Sequence, residues 1–283
     1  MSAAACGHDA PQDTTAEHLR PPQAGWHWVE WLCELAGTAI LVLGGLSAVT
    51  FDFMSGSPMA TLVPSPSWRL LVTGTLFAST GALVTISPLG RRSGAHLNPA
   101  VSLAFFTQGH LHRWDLVGYV TAQCAGGILG AALLRWCWGG AATSVRDGLT
   151  APGRAVTAWQ ASGIEAAMTG GLVLVIFSFV SSGATARWTP VAVLTVIAVF
   201  VWKLAPDTGT SLNPARSLGP ALVSGDWHDY WVYVLGPLGG ALAAGGLWTL
   251  VPRRTLTAKL FHDPAYTSIF RSVIPAPRTP APA

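Results

Sequence analysis

The sequence predicts an all-α membrane protein of six transmembrane helices plus two re-entrant half-helices, built as an inverted repeat. Three observations predict it. Apolar residues make up 51% of the chain and charged ones 10%, and the charges gather between long uncharged runs instead of lying along amphipathic faces. Six of those runs can cross a hydrocarbon core of about 30 Å, which takes about 20 helical residues. The only two asparagines, Asn98 and Asn213, both open the same triplet, Asn98-Pro99-Ala100 and Asn213-Pro214-Ala215.

Residues 1–25 read as a polar N-terminal tail without the basic region and short apolar core of a cleavable signal. Spans follow near Trp28 to Thr50, Trp68 to Ile86 and Trp114 to Trp138, then Trp159 to Ser182, Trp188 to Ala205 and Trp227 to Val251. Each carries Trp at an end, as expected of indole rings at the lipid interface. A transmembrane β-barrel would show short alternating segments instead. Residues 26–251 are thus expected to form one domain, with halves at about 28–140 and 158–251. Residues 252–283 remain as a C-terminal tail whose end, Pro275 to Ala283, has the composition of a disordered segment.

The halves resemble each other. Glu34-Leu35-Ala36-Gly37-Thr38 opens an apolar run in the first and Glu165-Ala166-Ala167-Met168-Thr169 in the second, while Gln123-Cys124-Ala125-Gly126-Gly127 matches Gly236-Pro237-Leu238-Gly239-Gly240. The glycine pairs and the triplets are offset by nearly the same number of positions. Three spans per half is an odd number, so the second copy enters the bilayer from the opposite side. With both termini cytoplasmic, the inner side holds Arg20, Arg91, Arg92, Arg113, Arg187, Arg253, Arg254, Lys259, Arg271 and Arg278. The outer side then holds Arg69, Arg135, Arg146 and Arg154. That excess favours termini inside. The spacings Gly126 with Gly130 and Gly236 with Gly240 fit either generic close packing or a specific helix crossing.

Each triplet precedes a run too short to span, Val101 to Thr107 and Ser217 to Val223. Asn is a favoured N-cap and Pro suits the first helical turn, so each Asn-Pro marks a helix start. Segments Ser93 to Leu97 and Gly209 to Leu212 must then lie at membrane depth, where irregular backbone is tolerated only if buried or lining a wet cavity. Two half-helices from opposite faces would aim their positive dipole ends at one central spot and repel a cation there. The Asn amides would still donate to a passing water or hydroxyl oxygen, and would orient a central water so as to interrupt a proton wire.

The stretches Ser93-Gly94-Ala95-His96-Leu97-Asn98-Pro99-Ala100-Val101 and Thr210-Ser211-Leu212-Asn213-Pro214-Ala215-Arg216-Ser217-Leu218-Gly219-Pro220 resemble the two signatures of the aquaporin or major intrinsic protein family. With Glu34, Glu165 and Ala122-Gln123, the resemblance covers roughly Trp28 to Val251 and implies an aquaporin-like right-handed bundle. It makes Arg216 the arginine of an outer selectivity constriction, and Glu34, Glu165 and Gln123 buried anchors of the re-entrant loops. It sets His96 near the inner vestibule, as a satisfied structural histidine or a solute contact. Counting back from the second triplet adds Thr210 and Val201 to the constriction. Counting from the first adds Ala78, or Phe77 if the intervening loop is one residue longer.

Val201 stands where strict water channels of the family usually carry His, which leaves a wider, greasier opening like that of the nodulin-type members that pass glycerol or metalloid acids. Ser217, where glycerol channels usually carry Asp, and Ala221 and Tyr233 point back toward water. Val234 departs from the usual Trp. Lys203 reads as an interfacial anchor, or as a second lumen cation.

The reading is a passive channel for water and small neutral solutes such as glycerol, excluding ions and protons. The resemblance implies a homotetramer in the plasma membrane. Other readings are a metalloid or urea facilitator, an ion-coupled secondary transporter, and a weakly conducting structural membrane protein. Neither the cysteines, Cys6, Cys33, Cys124 and Cys137, nor any motif shows metal spacing, a nucleophile or a phosphate-binding loop. No enzyme chemistry, cofactor, metal or nucleic-acid partner is therefore expected.

Overall fold

The computed structural model describes residues 25–266 and 268–274. Cys6, Arg20, Arg278 and the Pro-rich end lie outside the described residues. The elements are α1 (Trp28–Phe53), α2 (Met59–Leu62), α3 (Pro66–Ile86), α4 (Pro88–Ser93), α5 (Pro99–Thr107), α6 (Arg113–Trp138), α7 (Gly140–Ser144), a 3-10 turn (Arg146–Gly148), α8 (Ala158–Val180), α9 (Gly183–Ala186), α10 (Thr189–Thr208), α11 (Pro214–Ser224) and α12 (Val232–Trp248).

Among the described residues five helices, α1, α3, α6, α8 and α10, have the length and composition to cross a membrane. The sixth, expected over Trp227 to Val251, is shorter: α12 has 17 residues, near the lower limit for a span. Asp229 takes a left-handed φ of 55°, so the chain turns through Trp227–Trp231 before the helix starts. The short helices α5 and α11 enter between the long ones from opposite faces.

The glycines mark true crossings. A Cβ on Gly126 would lie 2.4 Å from the carbonyl oxygen of Leu35, and one on Gly240 would lie 2.1 Å from that of Ala166. Only glycine allows such backbone approach. Leu35 follows Glu34 and Ala166 follows Glu165, so the structure matches Gly126 to Gly240. The sequence comparison set Gly126 against Gly239, whose added Cβ would meet nothing within 4 Å. The repeat is therefore shifted there by one position, because the crossing selects the glycine that faces its partner helix.

One end of the bundle collects both described ends of the chain. His27 bonds Asp115 at 2.7 Å, Arg92 bonds Glu30 at 2.7 Å, and the Leu256 amide donates to the carbonyl of Val180 at 3.0 Å. Trp28, Trp114 and Trp188 lie exposed on this terminal face, and Trp68, Trp136 and Trp159 on the opposite one.

The segment expected to be a plain tail from residue 252 folds back over the terminal face. Ala258, Lys259, Leu260, Ile269 and Phe270 are buried, and the Leu260 amide donates to the carbonyl of Gly94 at 3.1 Å. Its apolar side chains gain cover there that a free tail would deny them.

Candidate functional site

Each re-entrant loop is built around one buried carboxylate. Glu34 of α1 accepts from Ser93 Oγ at 2.7 Å, the His96 amide at 3.0 Å, the Leu97 amide at 2.7 Å and Gln123 Nε2 at 2.8 Å. Glu165 of α8 accepts from Thr208 Oγ1 at 2.8 Å, the Ser211 amide at 2.9 Å and the Leu212 amide at 2.8 Å. The two sets are near copies. Left-handed φ values recur at the same places, 55° at Ala95 and 51° at Leu97, 50° at Thr210 and 53° at Leu212. Alternating hand turns successive N–H groups to one side, making a concave nest that grips an anion. Left-handed backbone costs about 1–2 kcal/mol per residue, which the charge-assisted bonds to the carboxylate offset.

Two tyrosines complete the supports, and the sequence reading gave them no loop role. Tyr119 donates to the carbonyl of Ser93 at 2.6 Å and Tyr233 to that of Thr208 at 2.8 Å. The signal was present, since Tyr119 precedes Gly126 by the same interval that separates Tyr233 from Gly240.

The loops deliver the triplets head to head. Asn98 Oδ1 accepts from the Ala100 amide at 2.9 Å, and Asn213 Oδ1 accepts from Ala215 at 3.0 Å and Arg216 at 3.3 Å, with Pro99 and Pro214 in the first turns of α5 and α11. Each Asn is thus an N-cap. Asn98 Nδ2 donates to the Leu212 carbonyl and Asn213 Nδ2 to the Leu97 carbonyl, both at 2.8 Å. One N–H of each amide fastens the opposite loop, and each Nδ2 carries a second donor beside the cavity. Pro99, Ala100, Pro214 and Ala215 are buried helix starts; of the two triplets, the asparagines alone reach the cavity wall.

That cavity, of about 120 Å3, runs past both asparagines, with room for several waters. Leu172, Ile176, Val193, Ile197 and Val201, from α8 and α10, line it with apolar groups; Asn98, Asn213, Thr210 and Arg216, from the second loop and the starts of α5 and α11, line it with polar ones. Phe77 and Ala78 both line it, and the Arg216 guanidinium lies 5.5 Å from the centre of the Phe77 ring. Both positions that counting left open thus face the cavity, and the Phe77 ring is the aromatic group beside the guanidinium.

Arg216 is buried and donates from Nη1 to the carbonyl of Gly148 at 2.9 Å. Gly148 belongs to the 3-10 turn, fixed by a two-point ion pair from Arg135 to Asp147, 2.7 Å at Nε. Sequence reasoning missed this brace, because Gly148 acts through its backbone.

His96 is 3% exposed. Its Nε2 donates to the carbonyl of Ala258 at 2.9 Å, and its Nδ1 accepts from Ser102 Oγ at 3.1 Å, which in turn accepts from Gln123. Both nitrogens are bonded within the protein, and the ring also borders the cavity. Lys203 is exposed, its Nζ 3.5 Å from the centre of the Trp202 ring, as an interfacial anchor would be. Among the described residues no group of three His, Cys, Asp or Glu side chains is placed to hold a metal ion.

The family model described as major intrinsic protein matches residues 23–248. Aquaporin NIP1-1 of Zea mays is 35% identical over 221 residues, 78% of this chain and 73% of that protein. Aquaporin TIP4-1 of Zea mays is 35% identical over 221 residues, 76% of this chain and 82% of that one. Among solved structures, an aquaglyceroporin from Plasmodium falciparum has a similar fold, with a TM-score of 0.67 at 21% identity, covering 80% of this chain and 97% of that one.

Proposed function

Because this chain belongs to the major intrinsic protein family, we propose that it is a passive channel, carrying water and small neutral solutes of the glycerol kind down their gradients and rejecting ions and protons. One observation carries the reading: the two N-capping asparagines, bonded crosswise, stand together on the wall of one cavity. Both half-helix dipoles direct positive potential there, as does the Arg216 guanidinium, so a cation is repelled while a neutral oxygen finds donors. Apolar and polar groups lining one cavity suit a molecule with a carbon edge and a hydroxyl edge. Val201 adds no polar group and Phe77 narrows the passage beside Arg216, which supports glycerol-sized guests over bulkier ones.

In this reading the triplets Asn98-Pro99-Ala100 and Asn213-Pro214-Ala215 form the centre of the pore, Arg216, Thr210, Val201 and Phe77 with Ala78 form its constriction, and Glu34, Glu165 and Gln123 anchor its loops. Residues 26–251 form the channel domain. The terminal face is cytoplasmic, since Arg91, Arg92, Arg113, Arg187, Arg253, Arg254 and Arg271 belong to it against Arg69, Arg135, Arg146 and Arg154 opposite. The chain sits in the plasma membrane as a homotetramer, each subunit with its own pore, and performs no covalent step.

Stopped-flow light scattering of reconstituted vesicles tests this, with sucrose, glycerol and urea as successive osmolytes. Shrinkage in sucrose faster than in protein-free vesicles, then re-swelling in glycerol, is the expected result. Concentrative uptake of labelled glycerol under an imposed proton gradient would instead mark a coupled transporter.

A further inference from the structure

The cavity has an unequal pair of ends. Toward the terminal face its wall includes Thr85, His96, Pro190 and, from far along the chain, Leu260. Leu260 is 5% exposed and its neighbours Ala258 and Lys259 are fully buried. We propose that residues Thr255–His262 are an intramolecular plug that seats Leu260 in the terminal-face mouth of the lumen and closes it. This deepens the channel reading and rests on it.

The seat is made by the pore loop itself. Gly94 accepts from the Leu260 amide and His96 donates to the Ala258 carbonyl, so the loop that carries Asn98 also holds the plug. A Cβ on Gly94 would lie 2.8 Å from the Phe270 ring and 3.0 Å from the Ala258 oxygen; the bare backbone there lets the segment come so close. Phe270 stacks on His96 at 5.4 Å and buttresses the plug from behind. His110 donates to the carbonyl of Arg271 and accepts from Thr255, tying down both arms.

The contact is built to release. Between Val251 and Ile274 the chain forms no helix or strand among its described residues. The ion pair at its rim, Arg91 with Asp263, is partly open to solvent at 35% and 19% exposure, where such pairs hold weakly. Undocking leaves the six spans and both re-entrant loops with their own supports, Glu34, Glu165, Tyr119 and Tyr233. Flux through the full chain then reports the undocked fraction.

Vesicles with equal protein content, shrunk in sucrose, provide the test. A chain ending at Val251 should conduct at least about threefold faster than the full chain, whereas one ending at Ile274 should match it. The full-length double variant L260S/F270S gives the same information if the shortened chain does not assemble, and should also conduct faster. Equal rates for the full chain and an assembled variant, both above protein-free vesicles, overturn the plug and leave the channel standing. Faster flux from the chain ending at Ile274 also overturns it, by moving closure to the Pro-rich end. Rates at the protein-free level for every form sink the channel reading and the plug with it.

Discussion

Asn98 donates its side-chain amide to the carbonyl oxygen of Leu212 at 2.8 Å, across the junction of the two half-helices. Its Oδ1 meanwhile caps α5. Asn98→Ala removes a cap worth about 1 kcal/mol and strands a buried carbonyl at about 1–3 kcal/mol. A loss of about 2–4 kcal/mol in unfolding from detergent micelles is expected; a loss no larger than that of an exposed substitution would contradict the bond's role.

Glu34 receives two donors on each carboxylate oxygen. In Glu34→Gln one oxygen becomes an NH2 group facing two N–H or O–H donors, whichever way the amide is turned. Stability should fall by about 1–3 kcal/mol, with slower water flux and an unchanged order of osmolyte permeability. A shift in that order would mean that Glu34 acts on the solute directly.

Val201 lines the cavity and packs on Gly74, where an added Cβ would lie 2.7 Å from Val201 Cβ. With no room on the Gly74 side, Val201→His projects a larger polar ring into the cavity. Glycerol permeability should drop about tenfold and water by less than about threefold, measured by stopped-flow re-swelling. Equal losses for the two would place residue 201 off the constriction.

The plug should respond to pH. Burial pushes the docked Lys259 ammonium down to about 8, with Asp263 and Glu30 opposing and Arg92 adding to the effect. Burial also lowers His110, opposed by the Arg271 carbonyl and reinforced by the Arg271 charge, and lowers His262, where Lys259 reinforces and Asp263 opposes it. All three groups are therefore docked more readily when neutral. Docking strengthens as pH rises from about 8 toward the ordinary lysine value, and weakens as pH falls through the ordinary histidine value. Water permeability of the full chain should rise several-fold from about pH 9 to about pH 5.5, while that of the chain ending at Val251 stays flat. The opposite slope would reject this account of the charges.

Gly240→Ala places a methyl against the carbonyl of Ala166, and backbone on both sides leaves little room to yield. Destabilisation of about 1–3 kcal/mol is expected. Gly239→Ala, one position away and exposed, should be neutral or gain up to about 1 kcal/mol through helix propensity. Thermal unfolding of the two side by side checks the shifted repeat register.

What the sequence made legible was what physics writes locally. Asn-Pro marks a helix start wherever it stands, and Glu34 and Glu165 are conspicuous as acids in apolar runs, so the half-helices and their anchors could be placed early. Contacts made through backbone were hidden: the Gly148 carbonyl under Arg216, and the choice of Gly240 over Gly239 at the α8–α12 crossing. Leu260 was hidden for a different reason. Residues 252–274 have neither helical nor strand periodicity, and their burial depends on a seat formed by residues 94–110, far away in the chain.

The crosswise asparagine bonds also constrain the order of assembly. As the nascent chain leaves the ribosome, Asn98 is made long before Leu212 exists to receive it, and the Leu97 oxygen waits for Asn213. In hydrocarbon such unanswered groups cost several kcal/mol each, so a first half inserted alone would need water or another partner at these groups. Each half supplies the partner that the other lacks, so two halves translated as separate polypeptides would have to meet before either loop is satisfied.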